Sequence, residues 1–164
     1  MRGGLDRPGY GREPDGRSKM CKRKYATLLS VVTFAVLAVT SADAETDRMK
    51  IRIRVNGNEV TATLIDNATA RDFASLLPIT LQFEDYGETE KIGYLPRKLA
   101  TEGAPPGSDP SVGDVSYYAP WGNLAIFRRD FRYSSGLIKL GKVDTGMEAL
   151  NVPGSVKATI DLIR

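Results

Sequence analysis

The 164-residue sequence contains no histidine, and its single cysteine is Cys21. Residues 45–164 therefore have neither. That excludes Cys/His zinc sites, thiol nucleophiles, Ser-His-Asp triads and imidazole acid–base chemistry together. It excludes a disulfide as well, so residues 45–164 must hold their fold with an ordinary hydrophobic core, and their number is sufficient for one. Carboxylates, lysine, arginine, tyrosine and serine remain for any chemistry. No cofactor or metal is expected. The acidic run Glu84, Asp85, Glu88 and Glu90 lacks the Asp-x-Asp-x-Asp-Gly order of a calcium loop and reads as acidic surface.

A basic domain is missing too. The whole chain carries +3, but residues 1–44 hold 8 of the 23 Lys and Arg against 4 of the 20 Asp and Glu, leaving 15 and 16 in residues 45–164. A nucleic-acid partner needs a basic face on the folded domain, so none is expected. The early positive charges belong to a leader. Lys22-Arg23-Lys24 precede an uncharged, largely apolar run from Tyr25 to Val39, and Thr40-Ser41-Ala42-Asp43-Ala44 ends in Ala-x-Ala. This is the order of a secretory signal cleaved after Ala44. The apolar run falls short of the roughly 20 residues of a membrane span, a retained anchor being the alternative. A periplasmic or secreted domain is expected, touching the membrane only through the signal before cleavage. Residues 1–19 have the Gly-, Arg- and Pro-rich composition of a disordered extension, and a start at Met20 would place the basic stretch at the terminus. The expected organisation is an extension over 1–19, a signal over 20–44 and one domain over 45–164.

What that domain does have is period-2 patterning. Lys50 to Val55 alternates polar and apolar residues, Asn56-Gly57 is a hairpin turn, and Glu59 to Ile65 alternates again. Asp66-Asn67-Ala68-Thr69 opens a short helix, with Thr69 and Asp72 spaced as a capping box and Ala70, Phe73, Ala74, Leu76 and Leu77 as its apolar stripe, ended by Pro78. Ile79–Phe83 is a strand, Glu84–Glu88 a turn, Ile92–Arg97 an irregular stretch, and Thr101–Val112 a Gly/Pro/Ser loop. Further strands are expected at Asp114–Tyr118, Leu124–Arg128, Leu137–Val143 and Ser155–Ile163, with a brief helix near Thr145–Leu150. Six or seven strands and one or two short helices make a mainly-β domain, a closed or nearly closed barrel.

Leu140-Gly141-Lys142-Val143, with Gly146-Met147 and Leu150 beyond it, is similar to the Phe-Gly-Lys-Val…Gly-Met segment of cyclophilins. The opening VNGNEVTATL hairpin and the helix after it also resemble the cyclophilin entry, and the likeness spans about residues 49–164. A nearer likeness is to small bacterial cyclophilin-like proteins, on LPRKL (95–99), GDVSYYAPWGNLAIF (113–127) and LGKV (140–143). This resemblance implies a cyclophilin-like β-barrel, and such proteins as a group have no established activity. In cyclophilins an arginine donates hydrogen bonds near a prolyl amide while a Gln-Phe-Phe strand holds the ring. Here the matching strand reads Gly122-Asn123-Leu124-Ala125-Ile126-Phe127, without the glutamine, and neither Phe-His-Arg nor Gln-Gly-Gly occurs.

The candidate ligand-contact residues are Arg97, Tyr118, Trp121, Asn123 and Phe127. Alternation sends Tyr117 and Tyr118 to opposite sheet faces, one to the core and the other outward or into a groove. Trp121, the only tryptophan, sits in a loop between Pro120 and Gly122. Asn123 serves either a ligand or turn geometry. Arg97 replaces the cyclophilin arginine or pairs on the surface with Glu84, Asp85 or Glu88. Arg128-Arg129-Asp130 reads as a solvated strand end. Two functions follow: an exported module that captures an extended peptide or small ligand without chemistry, or a divergent peptidyl-prolyl isomerase using Arg97, the only catalytic candidate.

Overall fold

The computed structural model describes residues 48–163. The extension, the signal and its cleavage point all lie outside them. The first hairpin joins β1 (Lys50–Val55) to β2 (Asn58–Leu64) through Asn56 and Gly57, both at positive φ as a two-residue turn of this type requires. Ile51, Ile53 and Val55 face Val60, Ala62 and Leu64 on the buried side. Helix α1 (Ala68–Ala74) follows, then β3 (Ile79–Tyr86) and β4 (Glu90–Tyr94). After a long loop containing the two-residue β5 (Gly107–Ser108) come β6 (Asp114–Tyr118) and β7 (Asn123–Phe127). The two-residue β8 (Ser134–Ser135), which pairs with β5, precedes β9 (Leu137–Thr145), a 3-10 turn (Met147–Leu150) and β10 (Val156–Ile163).

Eight strands close into one antiparallel barrel in the order β1-β10-β3-β4-β7-β6-β9-β2, and β2 returns to β1. Phe73 of the helix, Phe83, Tyr117, Leu124, Ile126, Leu140 and Ile160 fill its interior. The Tyr117 hydroxyl accepts a hydrogen bond from the Leu99 amide at 3.1 Å, so its polar end is satisfied within the core.

Four expectations are corrected here. The helix is capped by Asn67 rather than Thr69: the Asn67 side chain accepts from the Ala70 amide at 2.7 Å and donates to the Lys139 carbonyl, while Thr69 is buried inside the first turn. The segment read as irregular begins as β4, which is paired on both sides, with β3 and β7. Gly93 obscured it, because a glycine weakens strand patterning. Its place is fixed by packing: a Cβ there would lie 3.1 Å from the Phe83 ring. Asp85, read as acidic surface, is instead an anchor. It pairs with the fully buried Lys91 at 2.7 Å and with Arg128 at 3.0 Å, and it accepts from the Gly154 amide. Its carboxyl is held below the usual range, first by the Lys91 hydrogen bond. Arg128 is accordingly largely buried, not solvated, whereas Arg129 stays exposed and pairs with Glu88.

The glycines of the Leu-Gly-Lys-Val…Gly-Met stretch serve strand approach. A Cβ on Gly141 would stand 2.3 Å from the Thr63 carbonyl oxygen, and one on Gly146, where φ is +80°, 2.4 Å from that of Glu59. Both close the seam between β9 and β2, the strand pair that a barrel needs to complete its circuit.

Candidate functional site

Strand β7 is buried along its whole length. Leu124 and Ile126 point into the barrel, while Ala125 and Phe127 join Ile92 and Leu137 in a second apolar cluster on the outer face, with Tyr118 packed against it. A strand apolar on both faces has something covering its outside. The cover here is the turn bearing Trp121 on one side and the segment containing Phe131, Arg132 and Ser134 on the other. Between them lies a cleft of about 720 Å³, counting the space open at its mouth.

Tyr118, Trp121, Asn123 and Phe127 all line this cleft. The Trp121 ring meets Tyr118 at 5.4 Å and Tyr86 at 5.5 Å between centroids, both edge-on at 80°. That is a favourable aromatic arrangement, and it leaves Trp121 and Tyr86 about half exposed. Asn123 is 1 % exposed, and its Oδ1 has no hydrogen-bond partner among the described residues. Buried carbonyl oxygens are nearly always satisfied, because leaving one bare costs on the order of 1–3 kcal/mol.

Sequence reasoning missed Glu90, Tyr86, Ile92, Phe131, Arg132 and Leu137, which complete the wall. In sequence Glu90 and Tyr86 belong to an acidic run, and only the pairing of β3 with β4 brings them together on the cleft wall. Burial alone pushes the Glu90 carboxyl up to about 7. Arg132 lies over the Phe131 ring, 5.4 Å from its centroid.

Arg97 is elsewhere and is not among the residues lining the cleft. Its guanidinium grips Asp72 of α1 with two bonds of 2.9 and 2.6 Å and donates to the Ser75 hydroxyl and the Lys98 carbonyl. Asp72 also accepts from the Ala100 amide at 2.7 Å, and the Arg97 hydrogen bonds are the main reason its carboxyl falls to about 2. The surface pairing of Arg97 is thus with Asp72, not with Glu84, Asp85 or Glu88. Among the described residues no group of three or more Cys, Asp or Glu is placed to hold a metal ion.

Residues 53–161 match the family described as the Cyclophilin-like family. The solution structure of the hypothetical protein AF2241 from Archaeoglobus fulgidus shares the fold with a TM-score of 0.51, at 19% identity, covering 70% of this chain and 94% of that one. No curated protein matches the sequence.

Proposed function

Since the chain belongs to the cyclophilin-like family, we propose that it is an exported binding module that captures an extended peptide or a small ligand in the outer cleft without altering it covalently. Residues 20–44 would direct it to the periplasm or beyond and be removed after Ala44. The observation that carries this reading is the unpartnered Asn123 Oδ1, fully buried on the floor of an aromatic-walled cleft. Ligand sites have this composition, an apolar lining with a few polar groups that fix orientation. The isomerase reading has less behind it. It needs a donor beside the bound prolyl amide, and Arg97 is occupied by Asp72 away from the cleft wall. Fold kinship does not supply the activity.

A protease-coupled prolyl isomerisation assay tests the choice. The chain is expected to leave the uncatalysed rate unchanged, and Arg97→Ala to behave identically. Acceleration that disappears with Arg97→Ala would overturn the binding-module reading.

A further inference from the structure

The register across the barrel wall fixes where the two unfilled acceptors of the cleft stand. Glu90 lies opposite Phe127 on β7, and Asn123 begins the same strand four residues earlier. At about 3.3 Å per strand residue they are separated by roughly 13 Å along the sheet. Tyr86 is the register neighbour of Glu90, Tyr118 is the neighbour of Asn123, and Trp121 touches both rings. The cleft is therefore a track with an acceptor at each end and an aromatic ridge across it. Four residues of extended peptide span the same distance.

The two ends differ. Asn123 presents a neutral, buried oxygen suited to an amide N–H. Glu90 presents a half-buried carboxyl beside Tyr86, and burial is the cause of its upward shift, with no ion pair or hydrogen bond to it among the described residues. The other charged side chain of the lining is Arg132, engaged with Phe131. Lys91 and Arg128, adjacent in the barrel wall, are committed to Asp85. A carboxylate and aromatic rings side by side favour an ammonium group, which gains from both the charge and the ring faces.

Resting on the binding-module reading, we propose that the cleft selects an extended peptide segment carrying a protonated amine, either a lysine side chain or a free N-terminus, with the ammonium at Glu90 and a backbone N–H at Asn123. Binding then favours the ionised carboxylate. Burial raises the Glu90 carboxyl to about 7 in the free protein, so its ionised fraction rises between pH 6 and pH 8, and the affinity for a lysine ammonium, protonated throughout that range, tightens about tenfold with it.

Trp121, the sole tryptophan, makes fluorescence a direct reporter. The full chain is titrated with acetyl-Lys-Ala-Leu-Ala-amide, with its norleucine and glutamate counterparts, and with Leu-Ala-Leu-Ala-amide bearing a free amine. The lysine peptide is expected to bind at least tenfold more tightly than the norleucine peptide at pH 8. Its affinity should fall about tenfold at pH 6, and Glu90→Gln should abolish that pH dependence. The free-amine arm shows which amine is preferred. Equal binding of the lysine and norleucine peptides, or tighter binding of the glutamate peptide through Arg132, would overturn amine selection while leaving the binding module standing. A tightening that persists in Glu90→Gln would overturn the role of Glu90. If no peptide of any charge moves Trp121, amine selection and peptide capture both fall, and only small-ligand capture is left of the binding-module reading.

Discussion

Asp72 and Arg97 are on the surface, yet they tie the loop after β4 to helix α1. Asp72 receives two bonds from Arg97 and one from the Ala100 amide, so removing Arg97 leaves the carboxylate still anchored. Exposed ion pairs contribute little. Arg97→Ala is therefore expected to lower Tm by no more than about 4 °C and to leave ligand titrations at Trp121 unchanged. The acid side of the pH profile checks the same contact. The folded carboxyl lies at about 2, below its usual 3.8, so its stabilisation is full above pH 4 and fades as pH falls through 2. In Arg97→Ala that acid-side dependence should weaken in urea melts without vanishing, because the Ala100 amide still holds the carboxylate. A large loss of ligand affinity in the same variant would return Arg97 to the site. At this scale alternation made legible that Tyr117 and Tyr118 take opposite faces, while which of them turns inward, and the company of Tyr118 with Asn123 and Phe127 on the outer face, came only with the barrel. Glu90 was not legible, because a carboxylate among carboxylates looks like solvent-facing charge until strand pairing folds it against rings.

Among the elements, β9 and its glycines define the barrel seam. Gly141 approaches β2 so closely that even a methyl group would meet backbone rather than a movable side chain. Gly141→Ala is expected to destabilise the domain by about 1–3 kcal/mol, as overpacking does elsewhere. Chemical denaturation measures it, and a change below about 0.5 kcal/mol would contradict the close approach. The hairpin β1–β2 could be read from alternation and Asn56-Gly57 alone, and β7 from its unbroken apolar run. Strand β4 could not, because Gly93 and Pro96 interrupt the pattern and the packing of Phe83 that requires a small residue is a long-range fact. The helix cap is ambiguous in the sequence for a related reason. Asn67 and Thr69 are both good N-cap residues in sequence, and what selects Asn67 is its second bond, to the Lys139 carbonyl of β9.

For the whole molecule, closure explains how the domain stands without disulfides. A barrel of eight paired strands leaves no open edge for other chains to extend, and its outer face is then free to carry a cleft. The family stretch Leu140–Leu150 contributes seam geometry, while the Trp121–Phe127 stretch contributes cleft wall, so fold and site rest on different parts of the resemblance. The measurement that bears most directly on the central claim is an amide chemical-shift map of the isotope-labelled protein with an extended tetrapeptide. The largest shifts are expected at Glu90, Tyr118, Trp121, Asn123 and Phe127, with Asp72 and Arg97 unmoved. Shifts centred on Arg97 and helix α1, or none in the cleft at saturating peptide, would contradict it.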